Sequence, residues 1–270
     1  MPKLMAAAAP ASAAKLRVGS CMVNIDEAKQ AGLDGVEVVV RGSTEQLPIA
    51  DRTARQEYKD KMKQTGLVIS SLQMGLLNAN PLVSDPRAPA WLTQCIDAAK
   101  DLGAKVILVA FFSKGDLRQD GQLKKADVDV AVKRLKAAVP RATDAGVVLA
   151  IENTLSARQN AEFLERIGSD AVRVYYDVGN STNNGYDVPA EIRFLKDRIA
   201  SIHFKDFKDP QSRVQCYLGE GKVQFPATAA AIKEIDYQGW IVMETSSPSK
   251  NRVADAKRNA AYIRKLFGMT

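Results

Sequence analysis

From residue 16 onward, short β-branched or aliphatic runs alternate with longer stretches of helical period, which restricts the chain to repeated βα units and a parallel sheet. The runs are LRVGSCM (16–22), GVEVVV (35–40), LVISSLQMG (67–75), AKVILVAFF (104–112), VVLAIEN (147–153), VRVYYDVGN (172–180), IASIHFKD (199–206) and GWIVMETS (239–246). Eight strands separated by helices fit a closed barrel better than an open doubly wound sheet, which usually has fewer strands and a phosphate-binding glycine loop. No G-x-G-x-x-G follows the first run. The expected fold is a single (β/α)8 TIM barrel over residues 16–270, preceded by a tail at 1–15. The chain's 270 residues suit one such domain.

The clearest helix spans about 126–144, with Val128, Val130, Val132, Leu135, Ala138 and Val139 on its apolar face and Lys133, Arg134 and Lys136 on its polar face. Glycines in AGLDG (31–35), TG (65–66), LGA (102–104) and AG (145–146) mark helix ends just before the next strand. LGEG at 218–221, in the long connection between the seventh and eighth runs, reads as a turn rather than a phosphate cradle.

The formal charge of +7 comes from lysines and arginines spread along the chain and interleaved with acids. This reads as a solvated basic surface, not a nucleic-acid site, and charge alone does not argue for an anionic substrate such as a sugar phosphate. No apolar run approaches the ~20 residues that cross a bilayer, so no membrane partner is expected. Cys21, Cys95 and Cys216 are an odd set without a C-x-x-C pair and read as buried thiols. The Ala-rich run MAAAAPASAA after Lys3 leaves two readings of residues 1–15: a disordered tail on a cytoplasmic protein, the default, or the remnant of a signal for export to the periplasm.

Strands of a parallel barrel are apolar, so a charged residue near a strand's C-terminal end is unusual and lies where such barrels build active sites. Glu152 ends the fifth run, Asp177 follows two tyrosines in the sixth, His203 is the only histidine, in the seventh, and Glu244 follows Met243 in the eighth. Singly, each acid reads as a helix cap or ion-pair partner, and the histidine as a hydrogen-bonded core residue. Together, at equivalent depth on four consecutive strands, they converge on one rim, where three carboxylates repel unless a cation compensates them. Three oxygens and one nitrogen suit one fairly hard divalent ion, Mn²⁺ first, with Mg²⁺, Co²⁺ or Zn²⁺ as alternatives. Asn153, beside Glu152, is a candidate amide behind the ligands.

The motifs IEN (151–153), YYDVGN (175–180), IHFKD (202–206), LGEG (218–221) and METS (243–246), with Glu37 in GVEV (35–38), resemble those of the sugar phosphate isomerase/epimerase superfamily of xylose isomerase-like TIM barrels, which includes the ketose 3-epimerases. The resemblance runs from about residue 16 to 268. It implies a small carbohydrate substrate, a dimeric or tetrameric homo-oligomer, and Glu152 and Glu244 serving both as ligands and as the catalytic acid/base pair. A metal chelating a ketone and the neighbouring hydroxyl acidifies the C–H between them and stabilises the enediolate, so one carboxylate takes the proton and the other returns it. Many members carry a histidine three residues after the sixth-strand aspartate; here that residue is Asn180. At the position of the arginine that members often carry a few residues past the seventh-strand histidine stands Asp209, with Arg213 nearby. Substrate contact is assigned to Asn180, Lys205, Arg213 and Glu220, and barrel-end ion pairing is an equal reading for Lys205 and Asp206.

Three functions follow from this pattern. The leading one is an isomerase or epimerase of a keto-sugar. The second is a lyase or dehydratase of 3-keto-glycosides or keto-inositols, in which the enediolate expels a leaving group. The third is a non-catalytic barrel that binds metal and carbohydrate. The endonuclease branch of the fold needs several histidines, and this chain has one.

Overall fold

The computed structural model describes residues 16–209 and 214–269. The eight apolar runs form eight strands: β1 (Arg17–Ser20), β2 (Gly35–Val39), β3 (Val68–Met74), β4 (Val106–Phe111), β5 (Val148–Asn153), β6 (Val172–Asp177), β7 (Ile199–Phe204) and β8 (Trp240–Met243). Each pairs in parallel with its neighbours in sequence, and β1 pairs with β8 to close the barrel. Because side chains alternate across a strand, each run serves two cores. On β7, Ile202 and Phe204 face the helices, where the Phe204 ring lies 5.0 Å from that of Phe225. Facing inward, Val106, Leu108, Ala110, Ala150 and Tyr175 make a smaller cluster that fills the barrel's middle. Each such fully buried large apolar side chain contributes roughly 1.5–3 kcal/mol, so the barrel is held closed by these two cores and its mouth is free to carry polar chemistry.

Helices α1 (Ile25–Gln30), α2 (Arg52–Thr65), α3 (Ala88–Leu102), α4 (Lys125–Ala145), α5 (Ala157–Ile167), α6 (Val178–Asn183), α7 (Val188–Leu195), α8 (Phe225–Glu234) and α9 (Arg252–Phe267) surround the sheet. The expected 126–144 helix is α4, and its apolar face is buried through Val128, Ala131, Val132 and Leu135, while Val130 stays half-exposed. Arg134 leaves the expected polar face to donate to the carbonyls of Leu82 and Asp85. Helices α2 and α4 stop at Gly66 and Gly146, both left-handed, as the sequence suggests.

Four runs end two or more residues early: the first at Ser20, the sixth at Asp177, the seventh at Phe204 and the eighth at Met243. The sixth, read to residue 180, breaks at Asp177, whose Oδ1 accepts from the amide of Asn180 at 2.6 Å and caps α6. The loop after β4 holds an unpredicted hairpin, Arg118–Gln119 against Gln122–Leu123, turned at Asp120-Gly121 with both residues at positive φ, the geometry that Asp-Gly favours. Cys95 and Cys216 are buried free thiols, but Cys21 is only half-buried, because it sits at the open end of β1. Among the described residues no helix is long and apolar enough to cross a membrane. The tail at 1–15, with its export reading, and Arg213 lie outside the described residues.

Candidate active site

At the C-terminal mouth, β5 to β8 bring Glu152, Asp177, His203 and Glu244 together, with one donor atom from each lying within 4.8 Å of the others. Register explains the convergence: Asp177 pairs directly with His203 across the β6–β7 ladder, and His203 pairs with Val242, two residues before Glu244. His203 Nδ1 is 3.4 Å from Glu152 Oε1, 3.7 Å from Asp177 Oδ2 and 3.5 Å from Glu244 Oε2. Asp177 therefore fills two roles: one oxygen caps α6, and the other, buried, faces the cluster and meets the Lys205 ammonium at 2.9 Å. An oxygen desolvated in that way, among two more carboxylates and an imidazole nitrogen, fits a divalent-ion ligand.

The imidazole is aimed from behind. Its Nε2 lies 2.8 Å from Glu37 Oε1 on β2 and donates to that carboxylate, while the Ser71 hydroxyl on β3 donates to the other Glu37 oxygen at 2.6 Å. With Nε2 engaged, Nδ1 is the nitrogen presented to the three acids, the arrangement found behind metal-binding histidines. Tyr175 packs against the ring, centroid to centroid 4.4 Å. In the sequence Glu37 stands out only as an acid on the second strand. Its signal, and that of Ser71 and Gln73, is a polar side chain in an apolar strand at inward parity. Gln73 Nε2 lies 3.4 Å from Glu244 Oε1.

Charge is distributed unevenly over the cluster. Burial pushes the Glu152 carboxyl up to about 7, with Glu244 and Asp177 adding to the rise and His203 opposing it. Burial acts on Glu244 in the same sense, but the Lys205 ammonium and His203 outweigh it and hold that carboxyl below its usual range. Burial disfavours charge on His203 too, yet Glu37, Glu152 and Glu244 raise it well above the ordinary imidazole value. The two glutamates thus lean in opposite directions, Glu152 toward holding a proton and Glu244 toward losing one. Glu244 is also the more open, with a side chain 25% exposed against 5% for Glu152.

The remaining sequence candidates divide. The Asn180 amide lies 3.5 Å from Glu152 Oε1, at the cluster's edge. Lys205 reaches Asp177 at 2.9 Å and Glu244 at 2.5 Å, so it is inside the site as an ion-pair partner. Asp206, its neighbour, points the other way and accepts from the amides of Phe207, Gly219, Gly221 and Val223 at 2.8–3.1 Å. LGEG is therefore a loop wrapped on a carboxylate; a Cβ on Gly221 would run into Asp206 and the Phe207 carbonyl. Glu220, within that loop, pairs with Arg258 of α9 and is half-exposed, because the turn directs it outward. Asn153 is not hydrogen-bonded to the ligands: its amide group donates to Asn160 and its oxygen accepts from the Leu155 amide, which holds the start of the β5–α5 loop.

The sequence profile described as "Xylose isomerase-like TIM barrel" matches residues 25–266. The chain belongs to that family. UlaE of Salmonella heidelberg (strain SL476), an L-ribulose-5-phosphate 3-epimerase, is 25% identical over 268 residues, covering 92% of this chain and 91% of its own. SgbU of Escherichia coli (strain K12), whose name carries the same activity provisionally, is 30% identical over 234 residues, 80% of either chain. Among solved structures, D-allulose 3-epimerase from Methylomonas sp., in complex with D-allulose, matches with a TM-score of 0.74 at 18% identity, over 93% of this chain and 97% of that one. This last likeness establishes the shared fold. With these relatives, this member of the family is an enzyme of the isomerase or epimerase type.

Proposed function

We propose that the chain is a divalent-metal-dependent 3-epimerase of a ketose or ketose phosphate, with Glu152, Asp177, His203 and Glu244 as metal ligands and Glu152 and Glu244 as the acid/base pair. The observation that carries this reading is three carboxylates and an oriented imidazole converging, one from each of four consecutive strands, in one buried cluster at the barrel mouth. The relatives named as 3-epimerases give the reaction class. A divalent ion bound there supplies Lewis-acid polarisation of a carbonyl and its neighbouring hydroxyl. Asp177 and His203 hold position, the first fixed by the start of α6 and the second by Glu37 and Ser71. Proton removal by one glutamate and return by the other from the opposite face inverts the carbon between carbonyl and hydroxyl. The 3.5 Å approach of the Asn180 amide to Glu152 supports a role for Asn180 in contacting a substrate oxygen near that carboxylate.

The test is incubation of the Mn²⁺-loaded protein in D₂O with a panel of ketoses and ketose 5-phosphates. Solvent deuterium is expected at C3 of one substrate and of its epimer. Stripping with EDTA is expected to stop incorporation, and added Mn²⁺ to restore it. No deuterium at carbon in any member of the panel would sink the reading, and release of an aglycone or water from 3-keto-glycosides would replace it with the lyase.

The same reading gives Glu37 a measurable weight. Glu37→Leu leaves His203 Nε2 without its acceptor and is expected to weaken Mn²⁺ binding about 10–100-fold, the usual cost of losing a group that orients a ligand. Calorimetric titration reads this directly, and an affinity within twofold of wild type would show that His203 does not need Glu37.

A further inference from the structure

Lys205 occupies a place that a metal site does not obviously need. Its ammonium is 2.9 Å from Asp177 Oδ2 and 2.5 Å from Glu244 Oε2. These are the two oxygens that also face His203 Nδ1. The lysine reaches them along a built path. Its side chain is 9% exposed, and its stem runs against Gly179 in α6, where a Cβ would lie 2.5 Å from Lys205 Cγ and 2.8 Å from the Lys205 carbonyl oxygen. The glycine of YYDVGN thus makes room for the lysine of IHFKD. Four carboxylates, those of Glu37, Glu152, Asp177 and Glu244, share this end of the barrel, and the lysine charge offsets part of their mutual repulsion.

We propose that Lys205 is a resident counter-ion that a divalent cation must displace from Asp177 and Glu244, so that it stabilises the ion-free mouth and limits how tightly the ion is held. The inference rests on the quartet being the metal site. Two carboxylate oxygens bonded to an ammonium are not free to turn their lone pairs to a second cation, and a fixed positive charge a few ångströms away repels that cation. Replacing the charge with a neutral side chain removes both obstacles. It also leaves buried carboxylates uncompensated in the ion-free protein. Lys205 is in this sense a positioning residue for the ligands, and its substitution moves affinity and ion-free stability in opposite directions.

Mn²⁺ titration by calorimetry, with melting temperatures recorded in EDTA and in saturating Mn²⁺, separates this from a merely structural role. Lys205→Met and Lys205→Gln are expected to bind Mn²⁺ about tenfold or more tighter than wild type, from loss of a like charge beside the ion. In EDTA they are expected to melt roughly 5 °C or more lower, with Mn²⁺ restoring the difference. Lys205→Arg keeps the charge and is expected to stay within about threefold of the wild-type affinity; a purely structural lysine would make Arg and Met behave alike. If Lys205→Met fails to fold, Lys205→Gln carries the same comparison. One Mn²⁺ bound by wild type, with unchanged or weaker binding by the neutral variants, overturns the counter-ion role and leaves the metal site standing. No Mn²⁺ bound by wild type or by the neutral variants overturns both.

Discussion

Glu152→Gln and Glu244→Gln are each expected to lower the kcat of epimerisation by about 10³-fold or more, because general acid–base groups contribute roughly 10²–10⁴-fold and each glutamate is also a donor of the quartet. The two variants are expected to fail differently. With one carboxylate gone, the other can still take a proton from its own face of the sugar and give it back there. Exchange with D₂O then persists for one epimer and disappears for the other, while epimer formation stops. Proton NMR of each epimer, run at saturating Mn²⁺ so that weakened metal binding does not masquerade as lost chemistry, reads both signals. Turnover within about tenfold of wild type in both variants would remove these glutamates from the reaction. The asymmetry has a structural source: Glu152 lies deep beside Asn180, whereas Glu244 stands at the more open side with Lys205 and Gln73 around it.

Asp206→Ala is expected to be the most destabilising single change near the mouth. One carboxylate accepts four backbone amides there and ties Gly219, Gly221 and Val223 to the end of β7. Hydrogen bonds to a charged group are worth roughly 1.5–3 kcal/mol each, and a buried donor left unsatisfied costs about 1–3 kcal/mol. Allowing for relaxation of the loop, a loss of about 4 kcal/mol is expected, which for a chain of this size lowers the melting temperature by roughly 10 °C. Asp206→Asn offers only one acceptor oxygen and turns an NH₂ group toward amide donors, so it is expected to recover little. Scanning calorimetry decides it: a shift under about 2 °C for Asp206→Ala would mean that the loop holds itself.

The barrel was legible because parallel strands buried on both faces leave uninterrupted apolar runs, and eight of them recur between helical stretches. Strand ends were less legible: the apolar pattern of VRVYYDVGN continues past Asp177, but the backbone turns where that aspartate can cap α6. The hairpin at Asp120-Gly121 left a local signal in the Asp-Gly pair, which stood without long flanking strands. Of the site, the quartet could be read because charge at the end of an apolar strand is costly without a purpose. Glu37, Ser71 and Gln73 lie on β2 and β3, on the other side of the barrel from His203, and their partnership exists only once the sheet closes. Lys205 and Asp206, adjacent in sequence just past the end of β7, point opposite ways, Lys205 to the carboxylates of the mouth and Asp206 to the amides of the LGEG loop, a difference that their sequence does not signal. Glu220 shows the limit of carrying over a motif, since its partner Arg258 lies 38 residues away on an outer helix.

The proposed reaction depends on one divalent ion held by Glu152, Asp177, His203 and Glu244. The most direct measurement is anomalous diffraction from crystals soaked in Mn²⁺. A single peak within coordination distance of Glu152 Oε1, Asp177 Oδ2, His203 Nδ1 and Glu244 Oε2 is the predicted result. A peak elsewhere, or none at saturating Mn²⁺, would contradict it.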